Sequence, residues 1–178
     1  MLNEIKNPIT ENYLLLKKIV LSDTFPWFWK QNSTDGVKEE GFTNIPFFSH
    51  CILDRPSNDL TLYPRESSEH IRLVDQVLKE IFSFNNIKTN CILRINFNCI
   101  HYIDGKPTIP HLDHDFAHEN LLIYFDNSEG DTLLYNEDHE VINVFSPKED
   151  SIIIFDGIHG SGQPLPGQKR IVMVATFI

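Results

Sequence analysis

The richest cluster of metal-ligating side chains lies in Pro110-His111-Leu112-Asp113-His114-Asp115. His111 and Asp113 are two positions apart, and on a strand that spacing puts both side chains on one face. An imidazole and a carboxylate on one face can hold the same metal ion. A third ligand must come from another element, and His159 in Phe155-Asp156-Gly157-Ile158-His159-Gly160 is the candidate. It follows an apolar run that reads as a strand and opens a Gly- and Pro-rich loop. Two imidazoles and one carboxylate leave half of an octahedral sphere open to outside ligands. In a chain with eight His, a His-x-Asp pair alone is weak evidence, and His111 could instead be a solvated loop histidine. The order of the other parts adds the weight. Arg170 stands beyond His159 and opens the last apolar strand, Arg170-Ile171-Val172-Met173-Val174-Ala175-Thr176-Phe177. A guanidinium leading such a strand is costly to bury without a partner. It is either on the surface or placed to hold an anion, and its planar fork suits a carboxylate. Lys169 has the opposite strand parity, so the alternation favours Arg170.

These residues need a scaffold. Thr10 to Leu21 reads as a helix, with Thr10 as cap, Glu11 in the first turn, and Tyr13, Leu16 and Val20 at helical spacing. The cluster Phe25-Pro26-Trp27-Phe28-Trp29 is expected to pack this helix onto the body. Asn32 to Glu40 reads as a loop and Phe42 to Ile52 as a strand. A second helix follows Ser67-Ser68, with Ile71, Val74, Leu78 and Ile81 in one stripe, Val77 and Phe82 beside it, and Asn85-Asn86 as its stop. From Asn90 the pattern becomes short strands. Cys91 to Asn98 puts Arg94, Asn96 and Asn98 on one face and Leu93, Ile95 and Phe97 on the other. The polar face lines either a ligand site or a solvent-facing wall. Leu121–Phe125, Thr132–Tyr135, Val141–Phe145, Ser151–Phe155 and Arg170–Phe177 are further strands, separated by polar turns. Helices first and strands after indicate an α+β, mainly β fold with helices against one sheet. The expected organisation is a single domain, with helical support over 1–89 and a barrel core over about 90–178.

Composition narrows the function classes. The chain has 178 residues, 41% hydrophobic and 22% charged, which is globular rather than disordered. Asp and Glu number 25 against 15 Lys and Arg, a net charge of −10. Nucleic acid and anionic membranes are therefore disfavoured as partners. No apolar run spans a bilayer, and the amino-terminal residues lack a signal-peptide pattern, so a cytoplasmic location is expected. Cys51, Cys91 and Cys99 are an odd number without zinc spacing and read as buried thiols in a reducing compartment.

His111-x-Asp113, then His159, then Arg170 resembles the 2-oxoglutarate- and Fe(II)-dependent oxygenases, nearest to their prolyl 4-hydroxylase-like branch. Tyr102-Ile103-Asp104-Gly105 ahead of His111 is similar to that family's Tyr-x-x-Gly. Leu122-Ile123-Tyr124-Phe125-Asp126 with Gly130-Asp131-Thr132 resembles its strand and Gly-x-Thr turn. Phe145-Ser146-Pro147 through Phe155 resembles the strand pair before its second histidine. The likeness covers roughly residues 90 to 178. It extends more loosely to the amino-terminal part, where small stand-alone oxygenases of tailed bacteriophages are similar.

The resemblance implies a double-stranded β-helix (jelly roll) with N-terminal helices packed on one sheet. It implies Fe(II) held by His111, Asp113 and His159, with 2-oxoglutarate and O₂ as cosubstrates and ascorbate as a candidate accessory. The cosubstrate's distal carboxylate would pair with Arg170, joined by Tyr102. Arg94, Asn96 and Asn98 become candidates for the substrate side, and Thr132 is either adjacent to the cofactor or a turn residue, with the turn favoured. The implied reaction hydroxylates a C–H bond of a prolyl or other amino-acid side chain, in a small molecule or peptide, releasing succinate and CO₂. Asn32–Glu40, Asp54–Pro64 and Gly160–Gly167 are the expected substrate loops. His114 is expected near the ligands or exposed, His50 and His101 at the surface, and His139 solvated. A nucleic-acid dealkylase of the same superfamily is the first rival, but no arginine follows Arg170 as it does there, and the net charge is acidic. A cupin-like metal enzyme would use more histidines and leave Arg170 without a purpose, and a non-catalytic jelly-roll binding module would be expected to have lost part of the triad or the arginine.

Overall fold

The computed structural model describes residues 2–34, 39–56 and 63–178. In chain order the elements are β1 (Asn3–Ile5), α1 (Glu11–Val20), β2 (Phe28–Lys30), β3 (Phe47–Asp54), β4 (Arg65–Glu66), α2 (Ile71–Phe84) and β5 (Ile92–His101). They continue with β6 (Glu119–Tyr124), β7 (Thr132–Tyr135), β8 (Val141–Phe145), β9 (Ile152–Phe155), β10 (His159–Ser161) and β11 (Lys169–Phe177). An eight-stranded antiparallel sheet runs β1-β9-β6-β11-β5-β3-β2, with β4 paired to β3. A three-stranded sheet runs β10-β7-β8. Two antiparallel sheets facing each other, with both helices on the outer face of the larger one, form the expected jelly roll.

Strand alternation explains how the sheet serves two cores. On β11, Ile171, Met173 and Ala175 join the cluster under the helices, beside Ile95 and Phe97 of β5 and Leu121 and Ile123 of β6. Tyr13, Leu16 and Val20 of α1, with Val74, Val77, Leu78, Ile81 and Phe82 of α2, complete it. Full burial of each such side chain contributes about 1.5–3 kcal/mol. The opposite face carries Leu122, Tyr124, Ile153, Phe155 and Val172, which meet Leu134 of the small sheet. Both helices lie where their periodicity predicts. The Thr10 side chain accepts the backbone N–H of Tyr13 at 3.2 Å, and Lys17 and Lys18 face the negative end of the α1 dipole.

Several expectations need correction. The strand expected over 42–52 begins at Phe47, because Pro46 has no N–H for a ladder; Thr43 makes an isolated bridge to Thr108 instead. The aromatic cluster divides. Phe25 is buried against Phe97, whereas Phe28 and Trp29 sit exposed on the edge strand β2. The first 89 residues supply more than helical support, since β3 pairs along β5 from Phe48 to Leu53 and β1 pairs with β9. Cys51 and Cys91 are half-buried, and Cys99 alone among the three is buried. Burial pushes the Cys99 thiol up to about 11. Among the described residues, no helix is long and apolar enough to cross a membrane.

Candidate functional site

A cavity of about 560 Å³ opens between the two sheets. β11 contributes Arg170, Val172 and Val174 to its wall, β5 contributes Arg94, Asn98 and Ile100, and β10 contributes His159. One alternation places these side chains inward and their neighbours in the helix-side core. Lys169 is exposed while Arg170 is 2% exposed, as parity predicts.

His111 and His159 are joined backbone to backbone. Each N–H donates to the other's carbonyl, at 2.9 and 3.0 Å, and the ring centroids are 4.6 Å apart. His111 does not lie on a regular strand with Asp113, as the two-residue spacing suggested. This single bridge is its only pairing, and the chain then bends. The bend, not strand parity, returns Asp113 to His159. His159 also departs from expectation in standing on β10 rather than at the head of a loop.

The donor set fits a divalent cation. The Nδ1–H of His111 donates to the Ile109 carbonyl at 3.0 Å, and that of His159 to the Gly157 carbonyl at 3.2 Å. With the proton on Nδ1, each ring turns its Nε2 toward the cavity as the atom that can ligate. Burial, then His111, pushes the His159 imidazole down to about 4, so it is neutral at pH 7. Its Nε2 faces Asp113 Oδ2 at 3.5 Å, and this contact is therefore two opposed acceptors rather than an ion pair. Facing lone pairs repel unless a cation stands between them. Ligands about 2.1 Å from one ion at right angles lie about 3 Å apart, so a small rotamer change closes the gap. Among the described residues, no three His, Cys, Asp or Glu side chains are grouped to hold a metal as they stand. The reason is local: Asp113 Oδ1 is drawn to Arg94 Nη1 at 2.5 Å, with Arg55 Nη2 at 3.6 Å. Burial raises the Asp113 carboxyl, but Arg94, His159, His111 and Arg55 outweigh it and hold it down at about 2. Asp113 is therefore a carboxylate, the form that binds metal.

At the other end, Arg170 Nη2 donates to Thr132 Oγ1 at 2.9 Å. Its guanidinium lies 5.3 Å from the Tyr124 ring centroid, and the Tyr124 hydroxyl shares a 2.6 Å hydrogen bond with Thr132. Arg170 Nε is buried without a partner, and no carboxylate among the described residues lies within ion-pair distance. A buried cation so placed has an edge free to receive an anion. Tyr102, the expected companion of Arg170, is 40% exposed and lies outside the cavity wall, against Gly105. Tyr124 takes that place. Thr132 begins β7 and is buried beside Arg170, which favours the first of its two readings over the turn. Tyr124 shares the inward face of β6 with Leu122.

Arg94 and Asn98 line the cavity, which settles their face as inward. Asn96 lies beneath them, accepting from Arg94 Nη2 at 2.8 Å. Arg55, unnoticed in the sequence, also donates to the Asp113 carbonyl at 2.8 Å. His50 is not at the surface. It is buried, its Nδ1–H donating to the Pro26 carbonyl at 2.6 Å and its Nε2 meeting the Ser68 hydroxyl at 2.8 Å. His114 bonds Thr176 at 2.8 Å, His101 is exposed, and His139 meets Glu39 at 2.7 Å. Asn32, Ser33 and Thr34 reach the cavity, while 35–38 and 57–62 of the expected substrate loops lie outside the described residues.

No protein-family model and no curated protein matches the chain by sequence. Solved structures do match by fold. A 2OG-Fe(II) oxygenase family oxidoreductase from Burkholderia pseudomallei superposes with a TM-score of 0.67 at 15% identity, covering 93% of this chain and 78% of that one. A prolyl hydroxylase from Trichoplax adhaerens, in complex with a hypoxia inducible factor peptide fragment, gives 0.60 at 14% identity, covering 99% and 83%. The alpha-ketoglutarate dependent epimerase SnoN gives 0.61 at 9% identity, covering 99% and 77%. The chain therefore has the fold of the 2OG-Fe(II) oxygenases, a fold that carries more than one reaction.

Proposed function

We propose that this protein is a 2-oxoglutarate-dependent Fe(II) dioxygenase that hydroxylates a C–H bond of a prolyl or other amino-acid side chain. The observation that carries the reading is one cavity with two poles. One holds two imidazoles beside a carboxylate, and the other a buried arginine whose Nε has no hydrogen-bond partner and which has no carboxylate within ion-pair distance among the described residues. His111, Asp113 and His159 would hold Fe(II), which supplies the oxygen activation that converts 2-oxoglutarate to succinate and CO₂.

The chain's own residues bind and orient. Arg170 takes the distal carboxylate of 2-oxoglutarate through its open Nε edge, with Thr132 and Tyr124 fixing the guanidinium. The Ile109 and Gly157 carbonyls hold the two imidazoles in the ligand tautomer. Leu122, Val172 and Val174 give the cavity an apolar wall that excludes water from the site. No protein nucleophile or general base is needed. Hydroxylation is favoured over epimerisation by the sequence likeness to the prolyl 4-hydroxylase-like branch. The test is succinate formation in air from Fe(II) and 2-oxoglutarate, with ascorbate as accessory reductant. Succinate that depends on added Fe(II) supports the reading, and its absence from metal-loaded protein rejects it.

A further inference from the structure

The oxygenase reading leaves one charge unaccounted for. Arg94 projects from β5 into the cavity with its side chain only 18% exposed, and its ion partner is Asp113. Asp113 is also the proposed metal ligand, and among the described residues it is the one carboxylate lining the cavity. A divalent ion with Arg94 and Arg170 brings four positive charges. Asp113 and the 2-oxoglutarate dianion return three. Arg55, with its side chain 43% exposed at the mouth, adds a further positive charge that solvent screens. The loaded site is thus positive by at least one unit, in a chain whose net charge is −10.

A mostly buried guanidinium is stable only with a counter-charge or hydrogen-bond acceptors around its fork. Asp113 Oδ1 and the Asn96 amide oxygen occupy part of the Arg94 fork. Asn98, on the same strand face and also in the cavity wall, adds a neutral polar group and no charge. The cavity's 560 Å³ lies in the small-molecule range of about 300–1,000 Å³ and must also house cosubstrate and metal. The room that remains suits a molecule of amino-acid size.

We propose that Arg94 is the receptor for a carboxylate on the substrate, and that the substrate is a small free carboxylic acid, such as an amino acid, rather than an internal peptide segment. The proposal rests on the oxygenase reading but concerns a different residue and a different ligand. An internal peptide residue offers no carboxylate next to the reacting side chain, whereas a free amino acid carries one within a few bonds. A cavity that is already positive then selects the free amino acid, a zwitterion with no net charge, over its cationic amide.

The experiment uses full-length protein loaded with Zn(II) and 2-oxoglutarate. It is titrated calorimetrically with free L-amino acids, proline included, with their carboxamides, and with blocked peptides carrying the same residues internally. Zinc supports no turnover, so the readout is binding alone. At least one free acid is expected to bind tenfold or more tightly than its amide and peptide. Arg94→Gln is expected to abolish that preference, and Arg94→Lys, which keeps the charge, to retain part of it. Acid, amide and peptide binding alike, no acid binding at millimolar concentration, or Arg94→Gln keeping the preference would each overturn the proposal. Metal and 2-oxoglutarate affinities are measured on every variant. Loss of these in the unaltered protein would refute the oxygenase reading instead, which keeps the two failures distinct.

Discussion

Arg170→Met sets stability and ligand binding against each other. Removing a charge of this size from water carries an effective penalty of several kcal/mol. The charge-assisted bond to Thr132 returns about 1.5–3 kcal/mol, and the Tyr124 ring about 1–2 kcal/mol. The guanidinium therefore costs the ligand-free fold on the order of 1–2 kcal/mol. Methionine fills similar space without charge, and Tyr124 and Thr132 keep their mutual hydrogen bond, so no new orphan group arises. Ligand-free Arg170→Met is expected to melt about 2–8 °C higher, since 1 kcal/mol shifts Tm by about 2–4 °C at this chain length. The same change removes the anion's buried partner, costing about 2–5 kcal/mol of 2-oxoglutarate binding, or thirtyfold and more. Thermal melts with and without metal and 2-oxoglutarate, beside a calorimetric titration, read both effects. A lower Tm together with unchanged 2-oxoglutarate affinity would refute the reasoning, because Arg170 would then be an ordinary structural side chain.

Asp113→Asn keeps the shape but removes the counter-charge of Arg94; divalent-metal binding should disappear, and stability should fall by about 3 kcal/mol in denaturant melts. Gly160→Ala puts a Cβ 3.0 Å from the Thr108 carbonyl oxygen and 3.3 Å from the Tyr135 ring. It should destabilise by about 1–3 kcal/mol and weaken metal binding through the adjacent His159, seen in paired melts and metal titrations. The pH dependence has a fixed sign. Burial, and beyond it the nearby His70, lower the His50 imidazole against the raising effect of the Pro26 carbonyl, so the unfolded chain binds the extra proton. Stability from this group is complete above about 6.5 and is lost as pH falls through the folded value; His50→Asn should flatten the slope of Tm between pH 7.5 and 5.5. His114 and His159, both held at about 4, act in the same direction and keep part of it.

Periodicity made most of this architecture legible. The stripes of α1 and α2, and the alternation that turns Arg170 inward and Lys169 outward, follow from side-chain spacing. Spacing failed where the backbone is irregular. His111 and Asp113 meet through a bend and one bridge to β10, which no period of two encodes. Pro46 delayed β3, and the short strands β1, β2, β4 and β10 are too brief to show a period. Tyr102 was favoured by motif position, whereas Tyr124, on the same strand face as Leu122, is the tyrosine beside Arg170. The pairing of Arg94 and Arg55 with Asp113 joins residues 19 and 58 positions apart, which local pattern cannot reveal.

The most direct test of the two-pole cavity is an anaerobic titration of the metal-free protein with Fe(II) and then 2-oxoglutarate, followed by visible absorption. The account predicts a weak charge-transfer band that needs both components, is absent in His111→Ala and His159→Ala, and needs far more 2-oxoglutarate in Arg170→Met. A folded, unaltered protein that gives no band, or a band that survives both histidine substitutions, would contradict it.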